Sequence, residues 1–356
     1  MQTQTGEKVA EVPSRPYAES VKTDVPCMPL RPARSIVTGY LHSGYAGSLR
    51  ESGTPRALSH SHGWILERAI PGSSSRDGMG CYPLFACQDW TGLALDLEAA
   101  ADDLVCLVVV TDPFGQYDLR LLEYCFPDKV IPFKEHFTAD LSLPIDSFIH
   151  PHHRRYARKG LAALRVERCQ NARSCLDEWV RLYSCLVYRH QITGIATFSR
   201  TAFAQQLEVP GLVAFRALCR DVTVGMLLWY VQRDIAYYHL GAHSPLGYER
   251  HSSFALFWRA MEYFTTMGVR WLCLGAGAGL RDDASDGLRR FKQGWSTGTR
   301  TAYLCGRIFD RRKYEQLVAA GHVANTSYFP AYRWAERSQA FAGDHSPANC
   351  SVKVTV

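Results

Sequence analysis

Apolar positions along this chain fall into two kinds of run, and their order sets the expected architecture. From Asp89, "DWTGLALDLEAAADD" carries helical spacing, and "LVCLVVVTD" follows as a continuous apolar run typical of a strand covered on both faces. "YDLRLLEYCF" and "KVIPFKEHFTADLS" then predict another helix and another strand, closing a first α/β half near residue 145. Ahead of these, residues 1–30 are polar and Pro-interrupted, "SIVTGYLHSGY" reads as a strand, and "GSSSRDGMG" (72–80) reads as a loop.

The second half opens with "HPHHRRYARKG", then a strand "LRVERC", a helix from Ala172 to His190 and a helix around "SRTAFAQQLE". "LVAFRALC", "VTVGMLLWYVQ" and "DIAYYHLGAH" are three strands whose short Arg-Asp links suit antiparallel hairpins. In "SSFALFWRAMEYFTTMG", Phe254, Phe257, Trp258, Met261 and Phe264 keep the spacing of one helix face. Ser252 or Ser253 is the expected N-cap, and Gly268 sits where a glycine after the last turn belongs. A buried strand "VRWLCLG", a short helix and a final edge strand "TRTAYLCGRIFD" complete the order.

The order of helices, an antiparallel meander, a helix crossing to a buried strand and a last strand resembles the GNAT acyltransferase fold. More specifically, "YYHLGAHSPLGYERHSSFALFWRAMEYFTTMGVRWLCLGAG" followed by "GLRRFKQGWS" resembles the second GNAT-like domain of the Fem family of aminoacyl-tRNA-dependent transferases. The motif is L-x-R-F-K-x-G, here Leu288, Arg290, Phe291, Lys292 and Gly294, and "HHRRYARKG" is similar to the basic helix that opens that domain. The resemblance spans residues 147–310. It implies an α/β (α+β) fold of two GNAT-like domains, each a mixed, mostly antiparallel sheet flanked by helices. The implied division is a loose segment 1–30, a degenerate N-terminal domain 31–146, an acyltransferase domain 147–312 and a helical segment and tail 313–356. "SPLGYERHS" keeps Tyr248 and Arg250 but departs from the peptidoglycan enzymes, so a cell-wall acceptor is not implied.

Composition narrows the ligand without naming it. Net charge is +6 over 356 residues, a mildly basic balance that suits an anionic ligand such as RNA or a CoA-like molecule. The twelve cysteines include no CxxC, and Cys106, Cys219 and Cys273 lie in apolar runs, which argues for reduced structural thiols. The N-terminal stretch has no apolar core of signal-peptide length and no run suits a membrane span, so a cytoplasmic protein is expected. "GAGAGL" lacks the GxGxxG spacing of a dinucleotide loop, and no GxSxG elbow exists.

Candidate chemistry concentrates in three places. Taken alone, "GLRRFKQGWS" fits a turn with Leu288, Phe291 and Trp295 buried and Arg289 and Lys292 solvated. The Fem resemblance instead implies that Lys292 holds a phosphate or the carbonyl oxygen during acyl transfer, with Arg290 beside it. The GNAT resemblance places donor phosphates at the helix start near Ser252 and Ser253, where unpaired backbone N–H groups favour anions, with Arg250 preceding it. The Q/R-x-x-G-x-G/A loop of CoA-using relatives is absent there. Arg154 and Arg158 share one side of the basic helix and suit a pyrophosphate or RNA backbone.

Tyr248, Phe291 and Trp295 are the expected substrate contacts. An amine acceptor must lose a proton before it attacks an ester or thioester, and His243, Asp282, Asp283 and Asp286 are the candidate bases, with Asp283 the favoured carboxylate. An Asp before a glycine turn is equally a helix cap. His150, His152 and His153 are too close along the chain to converge on one ion, so no metal site is expected.

The expected function is therefore amide-forming acyl transfer without a resident cofactor. The donor is aminoacyl-tRNA, and the acceptor is the amine of a small molecule or peptide, with no DNA partner. An acyl-CoA or carrier-protein thioester is the alternative donor, and a GNAT-like module that binds without turnover is the alternative of a different class.

Overall fold

The computed structural model describes residues 36–278, 286–321 and 326–334. The first half supplies α1 (Ser43–Gly47), β1 (Thr54–Ala57), β2 (Trp64–Ala69), β3 (Arg76–Gly80), α2 (Leu93–Ala100), β4 (Cys106–Val110), α3 (Leu119–Cys125) and β5 (Lys129–Asp140). The second adds α4 (Ile145–Phe148), α5 (Pro151–Ala163), β6 (Arg165–Arg168), α6 (Leu176–His190), α7 (Arg200–Gln206), β7 (Leu212–Cys219), β8 (Val222–Gln232) and β9 (Ile235–His243). It closes with α8 (Pro245–Glu249), α9 (Ser252–Thr266), β10 (Trp271–Gly275), α10 (Gly287–Gln293), β11 (Gly298–Ile308) and α11 (Arg311–Ala320).

All strands among the described residues join one sheet in the order β1-β2-β3-β4-β11-β5-β10-β9-β8-β7-β6. Pairing is antiparallel except at β3–β4 and β9–β10, the mixed, mostly antiparallel sheet expected. Arg220 and Asp221 both take positive φ, 48° and 66°, which gives the β7–β8 link the twist a tight hairpin requires. β6 ends the sheet with Arg165, Glu167 and Arg168, charges that discourage another strand from adding there.

The strand "TRTAYLCGRIFD" is not at an edge. β11 pairs with β5 from Gly298 to Gly306 and with β4 from Leu304 to Ile308, so it lies inside the sheet. β5 in turn sits between β11 and β10. Strands from either side of residue 146 are thus interleaved.

Two N-terminal expectations change as well. From Ile36 on, the stretch expected as a strand instead forms a 3-10 turn and α1, because Gly39 turns the chain at φ +60° and the His42 ring accepts from Gly44 N. Tyr40 and Tyr45 are then buried against Tyr230. The loop expected at 72–80 ends early, since Arg76–Gly80 is β3 and its Asp77 is fully buried between Arg68 and Arg333.

Helices cover both faces of the second half. α5 and α9 pack with Leu227, Trp229 and Trp295 on one face, and α6 and α7 pack with Met226, Leu228 and Ala242 on the other. α9 ends as its sequence predicts. Gly268 at φ +71° lets its own N–H reach Thr265 O and lets Val269 N reach Phe264 O, satisfying the last carbonyls of the helix. Its start differs: His251 is the N-cap, in a left-handed conformation at φ 59°, and both serines lie inside the first turn.

Candidate active site

β9 and β10 run parallel for three paired positions, Ile235–Trp271, Ala236–Leu272 and Tyr237–Cys273, and then part. β10 stops at Gly275, whose φ of +74° bends the chain out of the sheet. β9 continues to His243, and β5 extends the opposite way beyond its last β10 partner, Phe137. Past Gly275 the described sheet therefore has an opening, bordered by β9 on one side and β5 on the other.

Lys292 reaches this opening from α10. Asp286 caps that helix, accepting from Leu288 N at 2.9 Å and Arg289 N at 3.2 Å, and it also accepts from Ala278 N at 2.6 Å. Of the alternatives for Asp286, the geometry displays the cap. Trp295 is fully buried and stacks on Phe257, which sets the rotation of the turn. Lys292 is consequently 6% exposed and Leu288 40% exposed, the reverse of the expected faces. Lys292 Nζ donates to Ala276 O at 2.6 Å and lies 5.5 Å from the centre of the Tyr238 ring.

Burial dominates the electrostatics here. It lowers the Lys292 pKa from 10.5 to about 8. His136, on β5, is pushed down to about 3 by burial and then by the charge of Lys292. Its Nδ1 lies 3.5 Å from Cys273 Sγ, a thiol that burial raises to about 12. The result is a cation held among a neutral imidazole, a neutral thiol and a phenol ring.

The two basic motifs meet beside this point. His153 Nε2 contacts Phe291 O at 2.9 Å, and His150 N donates to Gly294 O at 3.0 Å, joining α5 to the end of α10. The His153 ring leaves no room for a Cβ at Gly294. Arg158 is exposed, whereas Arg154 is partly buried and donates to Asp146 O at 3.0 Å. Arg290 is exposed on α10, and the histidines of "HPHHRRYARKG" serve packing, with His150 capping α5.

Other expected residues take different places. His243 lies at the end of β9, buried, with Nδ1 2.8 Å from Ser252 Oγ, and burial drops its pKa to about 4. At neutral pH it is an uncharged, weak base. Ser253 is partly exposed in the same helical turn, and Arg250 is exposed and pairs with Glu249 at 3.5 Å. Tyr248 stands edge-on to His243, with the Arg189 guanidinium 4.3 Å from its ring centre. Trp295 is a core residue and not a surface for substrate, and half-buried Phe291 packs on Phe254 and Phe257. Asp282 and Asp283 lie outside the described residues.

The sequence reading missed Tyr238, His136, Cys273 and Arg189. His136 and Cys273 are 137 positions apart and meet only through the β5–β10 pairing, which has no local signature.

Residues 151–293 match the family model described as an acetyltransferase (GNAT) domain. Among proteins of curated function, none matches the chain. Solved structures give the fold of a longer span. FemX shares 14% identity over 77% of this chain and 93% of its own, with a TM-score of 0.59. The C-terminal (DUF2156) domain of a protein described as a lysylphosphatidylglycerol synthetase, from Agrobacterium fabrum, shares 16% over 78% and 91%, with a TM-score of 0.54. L-PGS from Bacillus licheniformis shares 15% over 78% and 95%, with a TM-score of 0.51. At these identities the structures establish fold. The Fem-like and GNAT-like resemblance is thus shown by domain match and by architecture, and the domain match supports acyltransferase chemistry as the coarse class. No helix among the described residues is long and apolar enough to cross a membrane.

Proposed function

We propose that the chain forms amide bonds by moving an aminoacyl group from an aminoacyl-tRNA to the amine of a small molecule or peptide. The observation that carries this reading is Lys292, a buried cation at the opening between β9 and β5 that donates, among the described residues, to the carbonyl of Ala276. A lysine placed this way is compensated best by negative charge that arrives with the substrate or develops on the reacting carbonyl.

In the reaction, the amine nitrogen attacks the ester carbonyl carbon and Lys292 stabilises the oxygen as it becomes anionic. The carbon–oxygen bond to the terminal ribose then breaks; of the two protons the acceptor's ammonium form gives up, the first passes to solvent before attack and the second, through water, to the departing ribose oxygen. Exposed Arg158 and Arg290, on helices joined by His153, supply positive charge for the RNA backbone. Residues 31–146 act in this reading as a degenerate GNAT-like half that contributes β5 to the wall of the site.

A thioester donor is the second reading, favoured by the acetyltransferase description of the matched domain. Against it stands the turn before α9, where Arg250 and His251 replace a glycine-rich loop. The donors separate in one assay. Product formation should be abolished by RNase and should proceed without release of a free CoA thiol. Stoichiometric thiol release from an acyl-CoA in RNA-free conditions would reject the tRNA donor.

A further inference from the structure

A groove of about 430 Å³ runs between α6 and the segment that leads into α7. Tyr183, Val187, Tyr188, Ile192, Phe198 and Phe203 form most of it, Val180 and hydroxyl and amide side chains complete it, and no lining residue carries a charge. Its floor is built. Tyr183 and Phe203 rings are 4.8 Å apart, Phe198 and Phe203 are 5.5 Å apart, and the Tyr183 hydroxyl donates to Ala196 O at 2.7 Å. At the mouth, Tyr188 is 81% exposed, a large ring held in water beside an apolar groove.

Position ties this groove to the site. The rear ring, Phe198, lies 6.3 Å from the His239 ring. His239 is the extra residue of a bulge in β9, because Trp229 opposes Tyr238 while Leu228 opposes Leu240. Tyr238 is the residue whose ring Lys292 faces. One strand thus separates the groove from the buried cation, and the two approach from opposite faces. α6 packs on Met226 and Leu228, whereas α5 and α9 pack with Leu227 and Trp229. Charge follows the same division: basic α5 and α10 lie on one side, and the uncharged groove lies on the other.

We propose that this groove holds the uncharged, apolar tail of the amine acceptor while the anionic donor occupies the α5 and α10 side. The assignment of the occupant to the acceptor rests on the function proposed above. A charged tail would lose hydration with no partner in the groove, whereas an alkyl or aryl tail gains roughly 25 cal/mol per Å² it removes from water.

The test uses N-phenyl-1-naphthylamine, an uncharged aryl probe whose fluorescence rises in apolar surroundings. The intact chain should bind one equivalent. Ser184→Trp and Val187→Trp, both on the groove wall of α6, should weaken binding about tenfold or more without lowering the melting temperature. The two positions serve as independent variants, so that one poorly folding protein does not decide the result. Absence of probe binding, or unchanged affinity in a folded variant, overturns the proposal. In turnover, the variants should raise KM about tenfold for an aryl-tailed amine, with kcat held, and leave methylamine unaffected. Transfer in which neither KM moves rejects the groove and leaves the reaction standing. Probe binding that the variants abolish, in a chain that transfers no acyl group from any donor, supports the groove as an apolar site and rejects the reaction.

Discussion

Replacing Lys292 with Met should separate stability from activity. The lysine pKa falls from 10.5 to about 8 on folding, through burial. At 1.36 kcal/mol per unit, holding the charge inside the folded chain costs about 3 kcal/mol at pH 7. Because the folded pKa is the lower one, the unfolded chain binds more protons between about pH 8 and 10.5, and wild-type stability gains with pH over that window. Methionine keeps the length and has no proton to lose. The substitution also removes the bond to Ala276 O, worth roughly 1.5–3 kcal/mol for a charged donor.

At pH 7 the two terms leave Lys292→Met close to wild type or slightly more stable. At pH 10.5, where the charge cost has vanished and the lost bond remains, it should be less stable by a change of about 3 kcal/mol relative to pH 7. Urea unfolding followed by tryptophan fluorescence at several pH values measures this difference. Turnover should drop about a hundredfold or more in the same variant, as loss of a positioned donor typically does, and wild-type turnover should fall above about pH 8 as the lysine neutralises. A stability difference that does not vary with pH, or a variant with full activity, would refute the reasoning.

Acid should unfold the chain early. His136, His153, His239 and His243 are all pushed by burial to about 3 or 4, so each lets the unfolded state take a proton first as pH falls below about 6.5. Unfolding free energy should therefore decline between pH 6.5 and 4 with a slope approaching four protons, and proton uptake near one at pH 5 would contradict these burials. Gly294→Ala places a methyl against the His153 ring and should cost about 1–3 kcal/mol, read as a lower urea midpoint; a neutral effect would show that α5 and α10 are not locked together. Arg333→Met leaves Asp77 buried with one of its cations gone and should cost about 3–5 kcal/mol by the same measurement, whereas a loss under 1 kcal/mol would mean the 326–334 segment does not pin β3. Arg158→Ala should weaken RNA binding and reduce its salt slope by just under one, and an unchanged slope would remove α5 from the RNA surface.

Local pattern made the meander and α9 readable. β7, β8 and β9 alternate or run apolar between Arg-Asp turns, and α9 carries its own stop at Gly268. The placement of β11 was not readable, because its partners β4 and β5 lie more than 150 residues away and nothing in "TRTAYLCGRIFD" marks an interior strand. Residues 36–45 misled for a related reason: their apolar positions suit a strand, but Gly39 and the His42 cap fold them over Tyr230. At the site, resemblance singled out Lys292, while helical spacing alone put it on the solvated face. Only the packing of Trp295 against Phe257 and His153 turns it inward.

The central claim is that the acyl carbonyl is held at Lys292, with the donor on the α5 and α10 side. A crystal structure with a non-hydrolysable aminoacyl-adenosine amide tests it most directly. The carbonyl oxygen should lie about 3 Å from Lys292 Nζ, in place of Ala276 O, with the nucleoside directed toward Arg158 and Arg290. An analogue bound elsewhere, with Lys292 still on Ala276 O, would contradict it.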